Sequence, residues 1–239
     1  MGPKHSVVVD SDGALYTWGV GNEGQLGLGH ADGCTQPEMV LSSLGVLHSQ
    51  QSSCGTAHTC VITEEGDLYS FGRGHEGQIG HGIRPSQCLL LAPQYIHKLY
   101  GKKMQTVACG NDFTIALSTC GKVFSWGAGE LGQLGIGRVT KRMTPGMVDI
   151  CTKDNDNITN VSAGWGHVLV SSKKGMLFSW GFNTYGQLGL GHKKTMFTPS
   201  IVLLKNDNKI DVALPSANKH YSTGSSNKEI VSLVKIPYY

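Results

Sequence analysis

Short apolar and β-branched runs alternate with glycine-containing turns along most of the chain. Runs of this kind begin at His58, Phe113 and His167. Each is followed, after a turn, by a second run in which apolar and polar positions alternate, ending in an aromatic–glycine pair as in residues 123–127 (VFSWG). Alternation with a period of two between glycine turns predicts antiparallel β-hairpins.

The second run opens a 17-residue core that occurs four times. In the third copy it reads GKVFSWGAGELGQLGIG, and the four cores span residues 13–29, 66–82, 121–137 and 175–191. Their period of 53 to 55 residues indicates supersecondary units stacked on their neighbours. The second half of each core is too rich in glycine for a helix or a regular strand, so we expect a loop there.

Two further strands are predicted in each repeat. Segments that start with proline predict a third strand at 37–40, 93–96, 145–148 and 199–202, because proline suits a strand start or an edge. A fourth strand is predicted at 46–47, 104–107, 158–161 and 209–212. Four short antiparallel strands in about 50 residues, repeated, predict the blades of a β-propeller.

The repeat is lost after Ala213. We therefore predict an array of about four propeller repeats over residues 1–213 and a divergent tail over residues 214–239. The polar composition of residues 216–228 predicts a loop or disorder, and residues 229–236 are a candidate for one last strand.

Charge is distributed unevenly between the two halves of the array. Residues 1–97 carry three basic and nine acidic side chains, whereas residues 98–239 carry 17 basic and eight acidic ones. This asymmetry predicts a polarised surface that would steer an acidic partner to the second half. The alternative is that the charge difference reflects variation among solvent-exposed loop residues and has no function.

The seven cysteines include no C-x-x-C pair, and the chain shows no signal-peptide pattern. We therefore expect reduced thiols and a cytoplasmic or nuclear location. Cys54 and Cys109 hold the same repeat position, directly before a glycine, and are predicted to fill small buried spaces. No run of 18 apolar residues exists, so no membrane partner is expected.

Motifs of catalysis and cofactor binding are missing from the sequence. It contains no G-x-x-x-x-G-K-[ST] loop, no G-x-S-x-G elbow and no H-E-x-x-H pair. His5, His58 and His167 share a repeat position that Phe113 holds in the third copy, which indicates packing rather than chemistry. We predict no catalytic residue, no cofactor and no metal site, and hence a protein that is not an enzyme.

Candidate partner-binding residues are those that depart from the repeat. Trp165 stands where the other copies have Pro3, Thr56 and Asn111, and it is expected near one propeller face. The loops after the third and fourth cores carry five basic side chains: Arg138, Lys141, Arg142, Lys193 and Lys194. Because equivalent loops lie on one face, these side chains are predicted to form a patch for phosphates or an acidic protein surface. A purely solvated set of loops is the alternative.

The four copies of aromatic-Gly…Gly-Gln-(Leu/Ile)-Gly-x-Gly closely resemble the repeats of the regulator of chromosome condensation family. The resemblance covers about residues 2–213 and implies an all-β, seven-bladed β-propeller. This chain shows only four cores, which predicts a partial propeller of about four blades, each of four antiparallel strands. Open blade edges of this kind favour self-association. Three explanations are open: a fragment or truncated product, which the loss of the repeat near Leu214 favours, pairing with a second chain, or closure as a smaller ring.

The leading functional hypothesis is a non-enzymatic propeller that serves as a protein-interaction scaffold. The resemblance also implies an alternative, a guanine-nucleotide exchange factor for a Ran-like small GTPase. Exchange factors of this kind use a protruding hairpin, yet the largest surplus in any repeat is three residues, between Gly72 and Pro93. A third hypothesis, contact with chromatin or nucleic acid, depends on the basic second half.

Overall fold

The computed structural model describes residues 2–43, 45–82, 88–152, 156–203, 216–217 and 222–223. Among these residues no helix is long and apolar enough to cross a membrane. A 3-10 turn spans His97–Leu99. The strands are β1 (His5–Val9), β2 (Leu15–Gly19), β3 (Cys34–Met39), β4 (Leu41–Ser42), β5 (Gly45–Val46), β6 (Ser49–Cys54), β7 (His58–Thr63), β8 (Leu68–Arg73), β9 (Leu89–Tyr95), β10 (Met104–Cys109), β11 (Phe113–Ser118), β12 (Val123–Gly127), β13 (Arg142–Met147), β14 (Ile158–Ala163), β15 (His167–Ser172), β16 (Leu177–Gly181), β17 (Met196–Ile201), β18 (Ser216–Ala217) and β19 (Ser222–Thr223).

The strands form four consecutive antiparallel sheets, which are the blades of a partial propeller. Blade I is β1–β3, blade II is β6–β9, blade III is β10–β13 and blade IV is β14–β17, each with its strands in chain order. Strands β4–β5 and β18–β19 form separate two-stranded pairs. The predicted all-β propeller is confirmed. Blades II to IV have the four predicted strands, and blade I has three in the described part of the chain.

The fourth strand of each repeat belongs to the next blade. Strand β10, for example, pairs with β11 in blade III and not with β9. The strand predicted at 46–47 is wrong, because Gly45–Val46 pairs back on Leu41–Ser42 and the blade strand is β6, with the polar sequence SQQSSC. Main-chain pairing with β7 fixes β6 where its side chains gave no signal. The strands predicted at 209–212 and 229–236 lie outside the described residues, and the pair β18–β19 falls where a loop was expected.

Three cores lie between the four blades rather than inside any one sheet. The second strand of blades II, III and IV is buried at all six positions, because each blade packs against a neighbour on both sides. The core between blades II and III, for example, joins Ile62 and Leu68 of one blade to Val107 and Trp126 of the next. This arrangement explains why the runs at 58–63, 113–118 and 167–172 show no regular alternation of apolar and polar residues, since both sides of each strand are buried.

The Gly-Gln-(Leu/Ile)-Gly loop of one blade covers the aromatic residue of the next. Trp126 Nε1 donates a hydrogen bond to the Gln78 carbonyl at 2.9 Å, and Trp180 Nε1 donates to the Gln133 carbonyl at 3.0 Å. Gly135, at φ +68°, lies so close to the indole that a Cβ there would be 2.7 Å from Trp180 Nε1. The two ends of the repeated core therefore meet across blade boundaries.

The shared histidine position also joins neighbouring blades. The Nε2 atoms of His5 and His58 lie 2.9 Å from the hydroxyls of Thr59 and Thr114, one blade further along the chain. Between blades III and IV, Phe113 packs in the same core as Val168. Burial, followed by the charge of His58, lowers the pKa of His5 to about 4. The predicted packing role is confirmed, with an interblade hydrogen bond added at two of the three boundaries.

The outer side of blade IV is partly covered. Strand β18 lies against β14 and β15, as β14 lies against β10 and β11 one boundary earlier. Leu169 and Leu177 are buried there, with Val202 packed against them. The tail thus places a short strand where the first strand of a further blade would lie.

Candidate partner-binding face

The glycine-rich loops, and the turns between the first two strands of blades II, III and IV, lie on one face, here named the loop face. Backbone hydrogen bonds connect the turns of successive blades, from Thr56 N to Asn111 O at 3.1 Å and from Asn111 N to Trp165 O at 3.1 Å. Trp165 is therefore fixed by its main chain within a chain of turns that passes from blade II to blade IV.

A pocket of about 360 Å³ opens beside Trp165 on this face. It is lined by Glu76, Asn111, Asp112, Ala128, Glu130, Leu131, Gln133 and Trp165. Blades II, III and IV all contribute to this lining, so the pocket exists only when the three blades are packed together. The lining combines the apolar side chains of Leu131 and Trp165 with the carboxylates of Glu76, Asp112 and Glu130.

Asp112 is held in place by three neighbouring side chains. Arg73 of blade II approaches its Oδ1 at 2.7 Å, Gln78 Nε2 donates to the same oxygen at 3.1 Å, and Asn111 Nδ2 donates to Oδ2 at 2.6 Å. The Arg73 and Asp112 side chains are 28% and 18% exposed, so this pair is screened less than a surface pair. It fixes the position of blade II against blade III at the base of the pocket.

The two glutamates at the mouth differ in their contacts. Glu76 Oε2 lies 3.6 Å from Lys141 Nζ. Glu130 is exposed, and its Oε2 accepts a hydrogen bond from the Gly129 amide at 3.1 Å. Glu130 takes part in no salt bridge among the described residues. Its charge is available to a cation that enters the pocket.

Aromatic side chains continue from the pocket across blade IV. The rings of Trp165 and Phe182 meet edge to face at 5.7 Å, and those of Phe182 and Tyr185 at 6.0 Å. Trp165 is half-buried, whereas Tyr185 is 61% exposed. These three residues, here named the aromatic ridge, give the loop face an apolar strip beside an acidic pocket.

The predicted basic side chains divide into two groups. Arg138 follows Gly137, whose amide donates to the Phe197 carbonyl of blade IV at 2.8 Å. The basic loop after the third core therefore begins beside the outer strand of the next blade. Lys193 and Lys194 lie just before that strand and are exposed. The structure thus makes the two basic loops neighbours on the loop face.

Arg142 and Lys141 are more constrained than the other basic residues. Arg142 is half-buried and its Nη1 donates to the Met147 carbonyl at 3.4 Å. Burial and the nearby charge of Arg138 lower the pKa of Arg142. Lys141 turns toward Glu76 and so reaches the rim of the Trp165 pocket rather than the other basic residues.

Sequence reasoning found Trp165 and missed the residues that surround it. Asp112 stands at a position where the other copies have Lys4, Ala57 and Gly166, and it therefore departs from the repeat as Trp165 does. Applied to every turn, the same comparison of copies would have identified it.

The charge asymmetry runs around the ring rather than from face to face. On the side opposite the loop face, the hairpin turns of blades I and II carry acidic residues, and those of blades III and IV carry basic ones. These residues are Asp10, Asp12, Glu64, Glu65, Lys122, Lys173 and Lys174. The basic loops of the loop face lie on the same blades, III and IV, so both faces share one electrostatic gradient.

Comparison with known proteins places this geometry in a family. The model of the RCC1-like domain matches residues 1–233. The chain belongs to the RCC1-like domain family. It is 32% identical over 209 residues to the ultraviolet-B receptor UVR8 of Arabidopsis thaliana, covering 87% of this chain and 46% of UVR8. It is also 32% identical over 222 residues to the protein RCC2 homolog of Danio rerio, covering 84% of this chain and 44% of that protein.

Solved structures of RCC1-like propellers show the same fold. Human WBSCR16 superposes with a TM-score of 0.82 at 24% identity, covering 95% of this chain and 57% of WBSCR16. Yeast RCC1 (Prp20), in its complex with Kap60, superposes with a TM-score of 0.77 at 20% identity, covering 94% of this chain and 53% of Prp20. A second structure of Prp20, from Saccharomyces cerevisiae, was described with its binding to Gsp1p and histones. This RCC1-like chain spans about half the length of each relative and solved structure named here.

Proposed function

We propose that this RCC1-like chain is a protein-interaction module that binds its partner on the loop face. The observation that carries the proposal is the convergence on one pocket of Glu76, Asp112 and Trp165, which come from three blades and stand at positions that vary between the repeats. Repeat-locked residues serve the packing between blades, whereas loops carry function on such scaffolds.

The pocket chemistry fits a lysine or arginine side chain with an apolar neighbour. Trp165 and Leu131 provide an apolar wall against which the methylene groups of such a side chain would pack. Glu130 supplies a carboxylate at the mouth, and the Trp165 ring adds cation–π attraction. Buried aromatic anchors of this kind contribute a large share of the affinity at protein interfaces.

The basic loops offer a second contact for the same partner. Arg138, Lys193 and Lys194 are exposed, and the hydrogen bond from Gly137 N to Phe197 O joins the start of the first loop to the strand that follows the second. Acidic groups on the partner would be steered toward them, which raises the association rate more than the final affinity. A partner segment that carries a basic anchor followed by acidic residues satisfies both surfaces.

Selection of random peptides on the immobilised chain, followed by fluorescence anisotropy, tests the proposal. Enriched peptides should carry a lysine or arginine beside an apolar residue. Trp165→Asn, which uses the residue found at the equivalent Asn111, should weaken their binding by about 10-fold or more. Glu130→Gln should weaken binding by about 3- to 10-fold through the lost charge pair.

Tyr100→Ala is the matched control, because Tyr100 is 80% exposed and does not line the pocket. Peptides without a basic residue, or unchanged affinity in Trp165→Asn, would contradict the proposed pocket.

Exchange-factor activity toward a Ran-like small GTPase is a second proposal. It is favoured by the structural likeness to Prp20, whose described partners include Gsp1p, and by the basic loops. The segment with the longest surplus, between Gly72 and Pro93, contains residues 83–87, which lie outside the described residues. Stimulated release of labelled nucleotide from a purified Ran-like GTPase would support this function, and an unchanged release rate would leave the scaffold role.

Chromatin or nucleic-acid contact through the basic blades remains a third, weaker proposal, because the histones described for Prp20 are partners of that protein. Charge reversal at Lys141, Arg142, Lys193 and Lys194 should abolish any salt-sensitive binding to DNA or to an acidic protein. Unchanged binding would remove these loops from the partner surface. Self-association through open blade edges stays a prediction that light scattering can test.

A further inference from the structure

Two thiols and an imidazole meet in the core between blades II and III. His58 and Cys60 lie on β7, and Cys109 ends β10 of the next blade. One ligand atom from each side chain lies within 4.8 Å of the other two, and all three residues are buried. Buried cysteines are common singly as small apolar residues, but a buried His-Cys-Cys set across an interface calls for a further explanation.

The other blade boundaries pack without this set. At the position of Cys60 they have Val7, Ile115 and Leu169. At the positions of His58 and Cys109, the boundary between blades I and II keeps His5 and Cys54, whereas the boundary between blades III and IV has Phe113 and Ala163. The propeller core therefore does not require these polar groups. Only the boundary between blades II and III assembles all three donors among the described residues.

The histidine is oriented in the manner of a metal ligand. His58 Nε2 contacts Thr114 Oγ1 at 2.9 Å, and that hydroxyl donates to the Gln78 carbonyl at 2.8 Å. His58 Nδ1 is buried with no hydrogen-bond partner among the described residues. A metal-binding histidine needs one ring nitrogen fixed by the protein and the other available. His5 meets this condition as well, with Nε2 on Thr59 Oγ1 and Nδ1 without a partner among the described residues, so the two nearby thiols are what distinguish His58.

We propose that His58, Cys60 and Cys109 form a site for a single divalent, thiolate-preferring cation of the Zn²⁺ class. Two thiolates and one imidazole are typical ligands of zinc, at about 2.3 Å for sulfur and about 2.0 Å for nitrogen. Donor atoms around such an ion are separated by about 3.5 to 4 Å, so small side-chain shifts bring the present cluster into range.

Charge balance favours a divalent ion over a monovalent one. Each thiol loses its proton to solvent when its sulfur binds the metal, so two negative charges meet two positive ones while the imidazole stays neutral. The resulting centre carries no net charge, as a dry interblade core requires. An ion bound here would join β7 to β10 and so hold blade II against blade III.

Titration of the purified, reduced chain with Co²⁺ as the probe tests the site directly. We expect one Co²⁺ per chain, thiolate-to-cobalt charge-transfer absorption in the near ultraviolet, displacement by Zn²⁺, and a higher melting temperature with Zn²⁺ bound. Metal analysis of protein expressed in zinc-supplemented medium should find the same stoichiometry.

The repeat itself supplies variants that keep the packing. Cys60→Leu, Cys109→Ala and His58→Phe each install the residue that another blade has at that position. Each should retain the circular dichroism of the parent and lose at least about 10-fold in Co²⁺ affinity, because a ligand is removed. Cys34→Ser and Cys120→Ser, outside the cluster, are controls that should bind as the parent does.

Several outcomes would overturn the proposal. These are less than one tenth of an equivalent of Co²⁺ bound, equal affinity in the parent and the Cys60→Leu/Cys109→Ala double variant, or loss of binding in the Cys34→Ser and Cys120→Ser controls instead. A Cys60–Cys109 disulfide in freshly isolated protein would also overturn it.

Discussion

The boundary between blades I and II and the boundary between blades III and IV solve the same problem with different residues. In both, the carbonyl of the loop glutamine is buried and needs a donor. At the first boundary Gln25 O accepts from the Thr59 hydroxyl at 2.8 Å, because the aromatic position is Phe71, which has no N–H. At the last, Gln133 O accepts from Trp180 Nε1 at 3.0 Å, because the threonine position is Val168.

The boundary between blades II and III keeps both donors. Gln78 O accepts from Trp126 Nε1 at 2.9 Å and from the Thr114 hydroxyl at 2.8 Å. What the boundaries share is therefore a hydrogen bond to the carbonyl of the loop glutamine, and the residue that donates it varies. An unpaired buried carbonyl costs about 1–3 kcal/mol, which explains why each boundary supplies at least one donor.

The largest predicted loss of stability comes from a methyl group added at Gly135, where the boundary between blades III and IV has no room for it. Gly135→Ala should lower the free energy of unfolding by about 2–5 kcal/mol, since φ +68° disfavours a Cβ and the methyl group would collide with the Trp180 indole. Gly29→Ala is the matched control at φ +86°, where the added methyl group would have no atom within 4 Å, and should cost about 1–2 kcal/mol. Equal losses in urea denaturation would show that the indole contact is unimportant.

The second largest predicted effect distinguishes the two boundaries by the pH dependence of stability, because the first has His5 where the last has Phe113. His5 has a folded pKa of about 4 against an ordinary value of 6.5, so the unfolded chain takes up a proton first as the pH falls. Stability should therefore be full above pH 6.5 and decline toward pH 4, by up to about 3 kcal/mol from this residue.

Burial also lowers the pKa of His81 to about 4, so His81 contributes to the same decline. The double variant His5→Phe/Thr59→Val, which copies the Phe113–Val168 pair, should flatten the dependence in part. A parent and double variant with identical pH profiles in chemical denaturation would refute the contribution of His5.

The smallest predicted effect tests whether an indole N–H can replace a threonine hydroxyl as the donor to the glutamine carbonyl. Thr59→Val removes the donor seen at Gln25 O, whereas Thr114→Val leaves Gln78 O bonded to Trp126. Both changes also remove a hydroxyl next to a histidine, so that loss cancels in the comparison. We expect Thr59→Val to destabilise the metal-free chain by about 1–2 kcal/mol more than Thr114→Val, measured by urea denaturation. Equal destabilisation would mean that the indole N–H does not compensate.

The part of the fold that depends on local pattern was predictable. The hairpins and the glycine loops followed from alternation and period. Of the repeated aromatic residues, Phe71, Trp126 and Trp180 are fully buried, whereas Trp18 of blade I is half-buried. Strand β6 was misplaced because its SQQSSC sequence has no apolar alternation, and its pairing with β7 decides its position.

The candidate sites were predictable only in part. Trp165 was found because it breaks the repeat. The pocket beside Trp165 could not be predicted, because its residues come from different blades: Glu76 from blade II, Asp112 and Glu130 from blade III and Trp165 from blade IV. Cys60 and Cys109 are separated in sequence by more than 40 residues, so no spacing rule for metal ligands identifies them.

The sequence alone determined the unit: a repeat with alternating strands, a glycine loop and an aromatic–glycine pair, because these features depend on backbone geometry within a few residues. Only the tertiary structure decided how the repeat units contact one another. It joined the loop of one blade to the indole of the next, assigned each first strand to the following sheet, and brought carboxylates, rings and thiols from different blades together. The physical reason is that each of these contacts crosses a blade boundary, where residues about 50 positions apart meet only after packing.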